Sequence, residues 1–309
     1  YPQSVNPPQG FVVTGNNDPG NLSTDNSLFN DKHYIGGPWA NGYRADSIAQ
    51  ALKPMVAAKS ADATKMAEIQ AHNASRLGQD FGPIFLKAVA DTKAKLTKSD
   101  LDEDQLRAVQ LYLSITPAAL DDVVLRIDGW IKAGAPAASG VETFYHKVAA
   151  GELDHAVATS IFNAWMDNAV ALTVEDENLN LWEPWGADAR TRAMWYMWQG
   201  KGADNPGKLA SWNPKTLESA YFDLLGTTPI ERSDEIVLLA LKQGLAALAD
   251  SKKGFGTADP AKWLWGMRHG VRFESILAKF LGSNEQFAPI ASIFSITPDV
   301  LPLMDKLPA

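Results

Sequence analysis

Apolar residues recur with a helical period over most of the chain after residue 45. The clearest example lies between Thr116 and Gly134. Thr116 is a typical N-cap, Pro117 suits the first helical position, and Gly134 is a typical C-terminal stop. Its apolar residues fall on one face: Leu120, Val123, Val124, Ile127, Trp130 and Ile131. This segment is therefore predicted to be an amphipathic helix.

Similar patterns predict further helices along the chain. Asn213-Pro214 is expected to begin one that ends at Gly226, with four residues on one face: Leu217, Ala220, Tyr221 and Leu224. Other predicted helices occupy 46–58, 62–94, 99–115, 154–171, 233–250 and 259–269. Between these segments, the stretch from Glu175 to Asn213 is predicted as a loop. The predicted fold class is mainly α.

The first 45 residues have a different composition. They are rich in Pro, Gly and Asn, and they contain one short strand-like run, Phe11-Val12-Val13-Thr14. The predicted organisation is therefore a strand and loop segment over 1–45 followed by a helical domain over 46–309. In this view the chain is a helical domain with a short, irregular, partly β N-terminal segment.

Composition excludes several kinds of function. The chain has 309 residues, 46% hydrophobic and 21% charged, as in ordinary globular proteins. A net charge of -8 argues against nucleic-acid binding, which needs clustered Lys and Arg. The absence of cysteine excludes disulfides, thiol nucleophiles and thiolate metal sites. No apolar run reaches the length of a membrane span, and the five histidines show no zinc-binding spacing.

The segment after the strand-like run carries two adjacent amides, in the sequence Gly15-Asn16-Asn17-Asp18-Pro19. Such a sequence is typical of a turn, and Gly15 is predicted to adopt a positive φ there. A second interpretation is chemical. One asparagine could donate a side-chain N–H to a developing oxyanion, as amide hydrolysis requires. The local sequence leaves both interpretations open.

Three further segments accompany this one in order along the chain. The four are Asn6–Pro19, Gly42–Ile48, Ile69–Ser75 and Gly256–His269. Together they resemble the penicillin acylase family, with its Asn-Pro…Asn-Asn strand, its Tyr-Arg-Ala helix start and its Trp-x-Trp-Gly segment. Two positions depart from the family pattern, since Ser47 replaces an expected Arg and His72 an expected Asp.

The resemblance implies an N-terminal-nucleophile hydrolase of the αββα type, made by self-cleavage of a precursor. A serine at the new chain start would attack the acyl carbon, with its own α-amine as the base. We expect that serine to lie upstream, outside this chain, so that the chain alone is inactive as an amidase. By the register of the motif, Asn16 corresponds to the oxyanion-hole asparagine and Arg44 to the arginine that orients the site.

The resemblance also implies a structural calcium ion, for which Asp25 and Asp31 are the candidate ligands. Solvated turn aspartates are the alternative interpretation of these two residues. No other cofactor is expected. The expected partners are the remaining segments of the same precursor and a small-molecule amide substrate, without nucleic acid or membrane, in the periplasm or outside the cell. The alternative for the whole chain is a non-catalytic helical scaffold or interaction domain.

Overall fold

Helix accounts for 60% and strand for 3% of the residues described by the computed structural model. This confirms the mainly α prediction and exceeds the one-third helix typical of globular proteins. The structure describes residues 4–18, 39–142, 147–176, 186–200, 211–269, 273–274 and 295–296. The division into 1–45 and 46–309 stays a prediction.

The described residues form eight α-helices and two short strand pairs. The helices are α1 (Tyr43–Ala57), α2 (Ala63–Gln70), α3 (Arg76–Lys95), α4 (Glu103–Ser114), α5 (Pro117–Lys132), α6 (Glu152–Val170), α7 (Gly186–Gln199) and α8 (Ser233–Ala249). A π-helical turn, Ala171–Glu175, continues α6. The antiparallel strand pairs are β1 (Trp212–Asn213) with β2 (Glu218–Ser219) and β3 (Phe273–Glu274) with β4 (Ser295–Ile296).

Helix α5 begins and ends where the sequence predicts. It starts at Pro117, and it is closed by Gly134 at a φ of 89°. The Gly134 N–H donates to the Ile131 carbonyl over 2.9 Å and the Ala135 N–H donates to the Trp130 carbonyl over 2.8 Å. These two bonds form a Schellman motif, which satisfies carbonyls that the helix end leaves open.

The single helix predicted over 62–94 is wrong, because α2 and α3 are separate helices. The chain between them pairs with the segment after α5 instead of continuing the helix. Ser75 N–H donates to the Ala135 carbonyl over 2.8 Å, and Ala137 N–H donates to the Asn73 carbonyl over 2.9 Å. These bonds occupy backbone groups that a continuous helix would have used.

The helix predicted from Asn213 to Gly226 is also wrong. Strands β1 and β2 and a 3₁₀ turn, Ala220–Phe222, occupy this segment. The buried Glu218 explains the difference, since its carboxylate accepts the N–H of Ser233, at the start of α8, over 2.9 Å. A distant partner therefore overrides the local helical period.

Three smaller predictions also fail. The stretch from Glu175 to Asn213 is not all loop, because it contains α7. The segment 259–269 forms two 3₁₀ turns rather than a helix, and the N–H of Gly266 donates there to the carbonyl of Ser139 over 2.8 Å. The run Phe11–Thr14 forms no strand.

The chain divides into two compact units. The first comprises Tyr1–Ile69, Pro83–Ala119 and Ala164–Leu245, and the second comprises Gln70–Gly82, Leu120–Asn163 and Ala246–Ala309. Among the described residues, no single helix is long and apolar enough to cross a membrane, although the bent pair of α4 and α5 would pass by length and composition together.

Aromatic rings form the core of the first unit. The ring centroid of Phe85 lies 4.9 Å from that of Trp165, and the centroids of Trp198 and Phe222 are 4.6 Å apart. The buried Trp165 donates its indole N–H to the carbonyl of Val237 over 2.7 Å, so its polar atom is satisfied.

The second unit is built around Trp130. Its ring centroid lies 5.2 Å from that of Phe162, and its indole N–H donates to the carbonyl of Pro136 over 2.8 Å. Gly78 allows this packing, since a Cβ there would lie 2.3 Å from the Trp130 ring. Trp130 thus links α3, α5 and α6 within this unit.

Two glycines at α5 provide a matched stability test. Gly129 lies inside the helix, and a Cβ added there would meet no atom within 4 Å, whereas Gly134 has a φ of +89°. Gly129→Ala should raise the free energy of unfolding by roughly 0.5–1 kcal/mol, because alanine loses less backbone entropy in a helix. Gly134→Ala should lower it by about 1 kcal/mol, because a Cβ disfavours positive φ. Urea unfolding of both variants checks the prediction, and equal shifts would contradict it.

A carboxylate cluster gives the first unit a pH-dependent feature. Burial raises the pKa of Asp223, and the neighbouring carboxylates of Glu231 and Asp176 raise it further. Both neighbours hold the loop that follows: Glu231 accepts the Leu224 N–H over 3.0 Å and Asp176 accepts the Leu225 N–H over 2.5 Å. The folded chain therefore binds a proton on Asp223 more tightly than the unfolded chain does.

The raised pKa of Asp223 predicts whether a substitution there stabilises or destabilises the folded chain. The stability from the protonated Asp223 is fully present below the unfolded pKa of about 3.9 and is lost as pH rises through the folded pKa. Asp223→Asn should therefore raise the urea midpoint at pH 7 and change it little at pH 3.5. Asp250→Asn is the control. It should lower the urea midpoint at pH 7, since backbone hydrogen bonds from Lys253 and Lys252 lower the pKa of Asp250 and so stabilise its charged form in the folded chain. A lower midpoint for Asp223→Asn at pH 7 would contradict the prediction.

Candidate functional site

The backbone of the candidate site turns at Asn16, which has a φ of 60°. The prediction that Gly15 adopts the positive φ is wrong, since the left-handed residue is its neighbour. Asparagine is among the few residues with a Cβ that adopt this conformation readily. The positive φ alone therefore favours a glycine, an asparagine or an aspartate at position 16.

Gly15 is required for a different reason, which is close approach. It is buried, and a Cβ there would lie 3.0 Å from the backbone nitrogen of Ala45 and 3.1 Å from its Cβ. Both of these atoms belong to the first turn of α1, whose backbone cannot move aside easily. Gly15 thus brings the Asn16 turn against the helix that carries Arg44.

The two asparagines have separate contacts. Asn17 serves the turn: its side-chain oxygen accepts the N–H of Gly15 over 2.9 Å, and its amide nitrogen donates to the carbonyl of Asp18 over 3.2 Å. Among the residues that the structure describes, the exposed side chain of Asn16 makes no such local bond. Of the two amides, that of Asn16 is therefore the better placed to face a ligand.

Arg44 contacts Asn16 directly, so the structure brings these two predicted site residues together. A guanidinium Nη2 of Arg44 donates a short hydrogen bond to the side-chain oxygen of Asn16. Arginine has only donors, so the oxygen of the Asn16 amide must face it. The Nδ2 end of Asn16 is then directed elsewhere, with two N–H groups to donate.

Helix α1 begins at Tyr43, slightly before the predicted range of 46–58 and one residue before Arg44. Gly42 precedes it in the left-handed region at a φ of 94°. The side chain of Asn41 accepts the N–H of Tyr43 over 3.2 Å, which satisfies one open donor of the helix start. Arg44 is therefore fixed in the first turn of a helix rather than on a loop.

Sequence reasoning missed two side chains near this site. Asp188 and Arg192 of α7 both bind the backbone just before α1, at Asn41 and Ala40. The only sequence signal for them is an acidic and a basic residue four positions apart, which is common on exposed helices. Their segment was also predicted as a loop.

The predicted metal ligands, Asp25 and Asp31, lie outside the described residues. Within the described part of the chain, no group of three or more His, Asp or Glu residues could hold a metal ion. The calcium prediction therefore remains a prediction.

A separate groove of about 770 Å³ lies within the first unit. Its wall carries charges of both signs, several of them already paired, as in the 2.9 Å ion pair between Lys95 and Asp234. The charged lining residues are Lys87, Asp91, Lys95, Lys98, Asp102, Asp104, Glu218, Arg232 and Asp234. Neither Asn16 nor Arg44 lines it, so this groove is not the candidate site.

A protein-family model described as Penicillin amidase matches residues 1–299. No curated protein and no solved structure matches the chain. The family match covers nearly the whole chain, including the Asn16 turn and α1.

Proposed function

We propose a specific role for this chain, which belongs to the penicillin amidase family: it supplies the side-chain oxyanion donor of an amide-cleaving acylase. The family membership indicates an amide hydrolase. The observation that carries the finer proposal is the bond from Arg44 to the Asn16 oxygen. That bond leaves the Asn16 amide N–H groups exposed and oriented, as an oxyanion donor must be.

The proposed reaction divides its chemical groups among segments of one precursor. A serine at the start of a separate segment attacks the acyl carbon of the amide, and its own α-amine accepts the serine proton. Negative charge then develops on the former carbonyl oxygen. Asn16 donates its Nδ2–H to that oxygen, and Arg44 holds the amide in place without transferring a proton.

Three further parts of the proposal come from the family resemblance. The partner of this chain is the nucleophile-bearing segment of the same precursor, without which the chain is inactive. A structural calcium ion is held in part by Asp25 and Asp31, because carboxylate oxygens suit a hard cation. The enzyme acts in the periplasm or outside the cell on a small-molecule acyl amide.

Asn16→Gly should lower kcat of the complete, self-processed enzyme on the order of 10²–10³-fold, the usual loss for one oxyanion donor. Glycine keeps the positive φ of position 16, so the loss reports the side chain and not backbone strain. KM should change much less, because this hydrogen bond strengthens only as charge develops. The measurement is steady-state hydrolysis of chromogenic acyl anilides with aromatic, short-chain and long-chain acyl groups.

Asn17→Ser is the matched control, since a serine hydroxyl can still support the turn. It should change kcat only a few-fold. A large loss in Asn17→Ser with a fully active Asn16→Gly would assign the donor to Asn17 instead. Full activity in both variants would favour the alternative of a non-catalytic scaffold.

Arg44→Lys should lower kcat on the order of tenfold, because lysine donates from a single mobile nitrogen while the guanidinium is a rigid fork. The pH dependence of kcat should keep its shape, since arginine stays charged through the working range and takes no part in proton transfer. Wild-type kcat in this variant would contradict the orienting role, and a shifted pH profile would indicate a different role. Thermal unfolding of both proteins controls for folding.

A further inference from the structure

The peptide bond between Ala40 and Asn41 lies beside the Asn16 turn. The N–H of Ala40 donates to the backbone carbonyl of Asn16 over 2.9 Å. This is a long-range bond between the turn and the chain that leads into α1. Ala40 links the two, because its N–H binds the Asn16 backbone and its carbonyl belongs to the Ala40–Asn41 peptide.

Helix α7 binds both polar ends of this same peptide. Arg192 donates from Nη2 to the carbonyl of Ala40 over 3.1 Å, and Asp188 accepts the N–H of Asn41 at Oδ1 over 3.2 Å. The two side chains are four residues apart and so share a face of the helix. A peptide unit is planar and rigid, so two bonds at opposite ends fix its orientation.

The bound peptide connects to Arg44 as well as to Asn16. The side chain of Asn41 accepts the N–H of Tyr43, the first residue of α1. Arg44 follows directly and donates to the side chain of Asn16. The two residues that the peptide joins thus contact both parts of the site: Ala40 donates its N–H to the backbone of Asn16, and the Asn41 side chain accepts the N–H of the helix start that carries Arg44.

We propose that Asp188 and Arg192 are positioning residues for the Asn16–Arg44 pair, acting through the Ala40–Asn41 peptide. The proposal rests on the proposed function, because it needs Asn16 to be the oxyanion donor. Neither side chain is required to touch the substrate. Both set the distance and direction from which the Asn16 amide donates.

This role predicts an effect on turnover rather than on substrate affinity. Misplacement of a catalytic group by about 1 Å can cost on the order of 10²-fold in rate. The loss of one of two peptide contacts should displace the turn less, so we expect kcat to fall on the order of tenfold. KM should stay within a few-fold of its wild-type value, since the Asn16 bond forms fully only in the transition state.

The test is a double-mutant cycle in the complete, self-processed enzyme. Arg192→Met keeps an unbranched apolar stem and removes the donors, and it is made both alone and together with Asn16→Gly. The probe is the chromogenic acyl anilide that the wild-type enzyme hydrolyses fastest. If Arg192 acts through Asn16, Arg192→Met should lower kcat about tenfold alone and add little in the Asn16→Gly background.

Asp188 provides an independent arm of the experiment. Asp188→Ala removes the acceptor for the Asn41 N–H and should lower kcat, whereas Asp188→Asn keeps an acceptor oxygen and should recover most of the loss. Arg190→Met is the control on the same helix, because Arg190 pairs with Glu175. It should leave kcat near wild type even if it lowers the thermal unfolding midpoint.

The outcomes separate this inference from the proposed function. If Asn16→Gly retains wild-type kcat, the proposed function falls and the inference falls with it. If Asn16→Gly is impaired but Arg192→Met lowers kcat by the same factor in both backgrounds, only the positioning role is overturned. Unchanged kcat in both Arg192→Met and Asp188→Ala would also overturn it. The positioning role is supported by a lower kcat in both Arg192→Met and Asp188→Ala, by little further loss when Arg192→Met is added to Asn16→Gly, and by recovery of kcat in Asp188→Asn.

Discussion

The hydrogen bond from Arg44 to the side-chain oxygen of Asn16 is the interaction on which the site depends. A guanidinium can only donate, so this bond selects one of the two orientations of the asparagine amide. The selected orientation turns the N–H₂ group away from Arg44. A neutral donor with a fixed direction, next to a permanent positive charge, is suited to a developing oxyanion.

Two backbone constraints make that bond possible. Asn16 has a positive φ, and Gly15 lies so close to Ala45 that a Cβ would meet the backbone of α1. Both constraints determine how closely the Asn16 turn approaches the first helical turn of α1. The pair of residues Gly15-Asn16 is therefore explained by geometry before any chemistry is considered, and the proposed chemistry uses the same geometry.

The sequence predicted elements whose signals are local. Thr116, Pro117 and Gly134 bound α5 because caps act on neighbouring backbone groups. The segment from Asn213 to Gly226 has an equally regular apolar period, yet it forms strands and a 3₁₀ turn. There the buried Glu218 binds the start of α8, and a partner fifteen residues away leaves no trace in the period.

The candidate site shows the same contrast between local signals and long-range partners. The family motif fixes the register that predicts Asn16 and Arg44 as site residues, and the structure brings these two into contact, whereas Asp188 and Arg192 were not predicted. These two contact the chain before α1 from 147 and 152 positions away, and on the sequence they are only charged residues of a segment predicted as a loop. The group proposed to do the chemistry is thus encoded locally, while its support depends on tertiary folding. Because the hydrogen bonds of Asp188 and Arg192 need α7 beside the chain that leads into α1, the proposed positioning of Asn16 depends on the tertiary fold of the first unit.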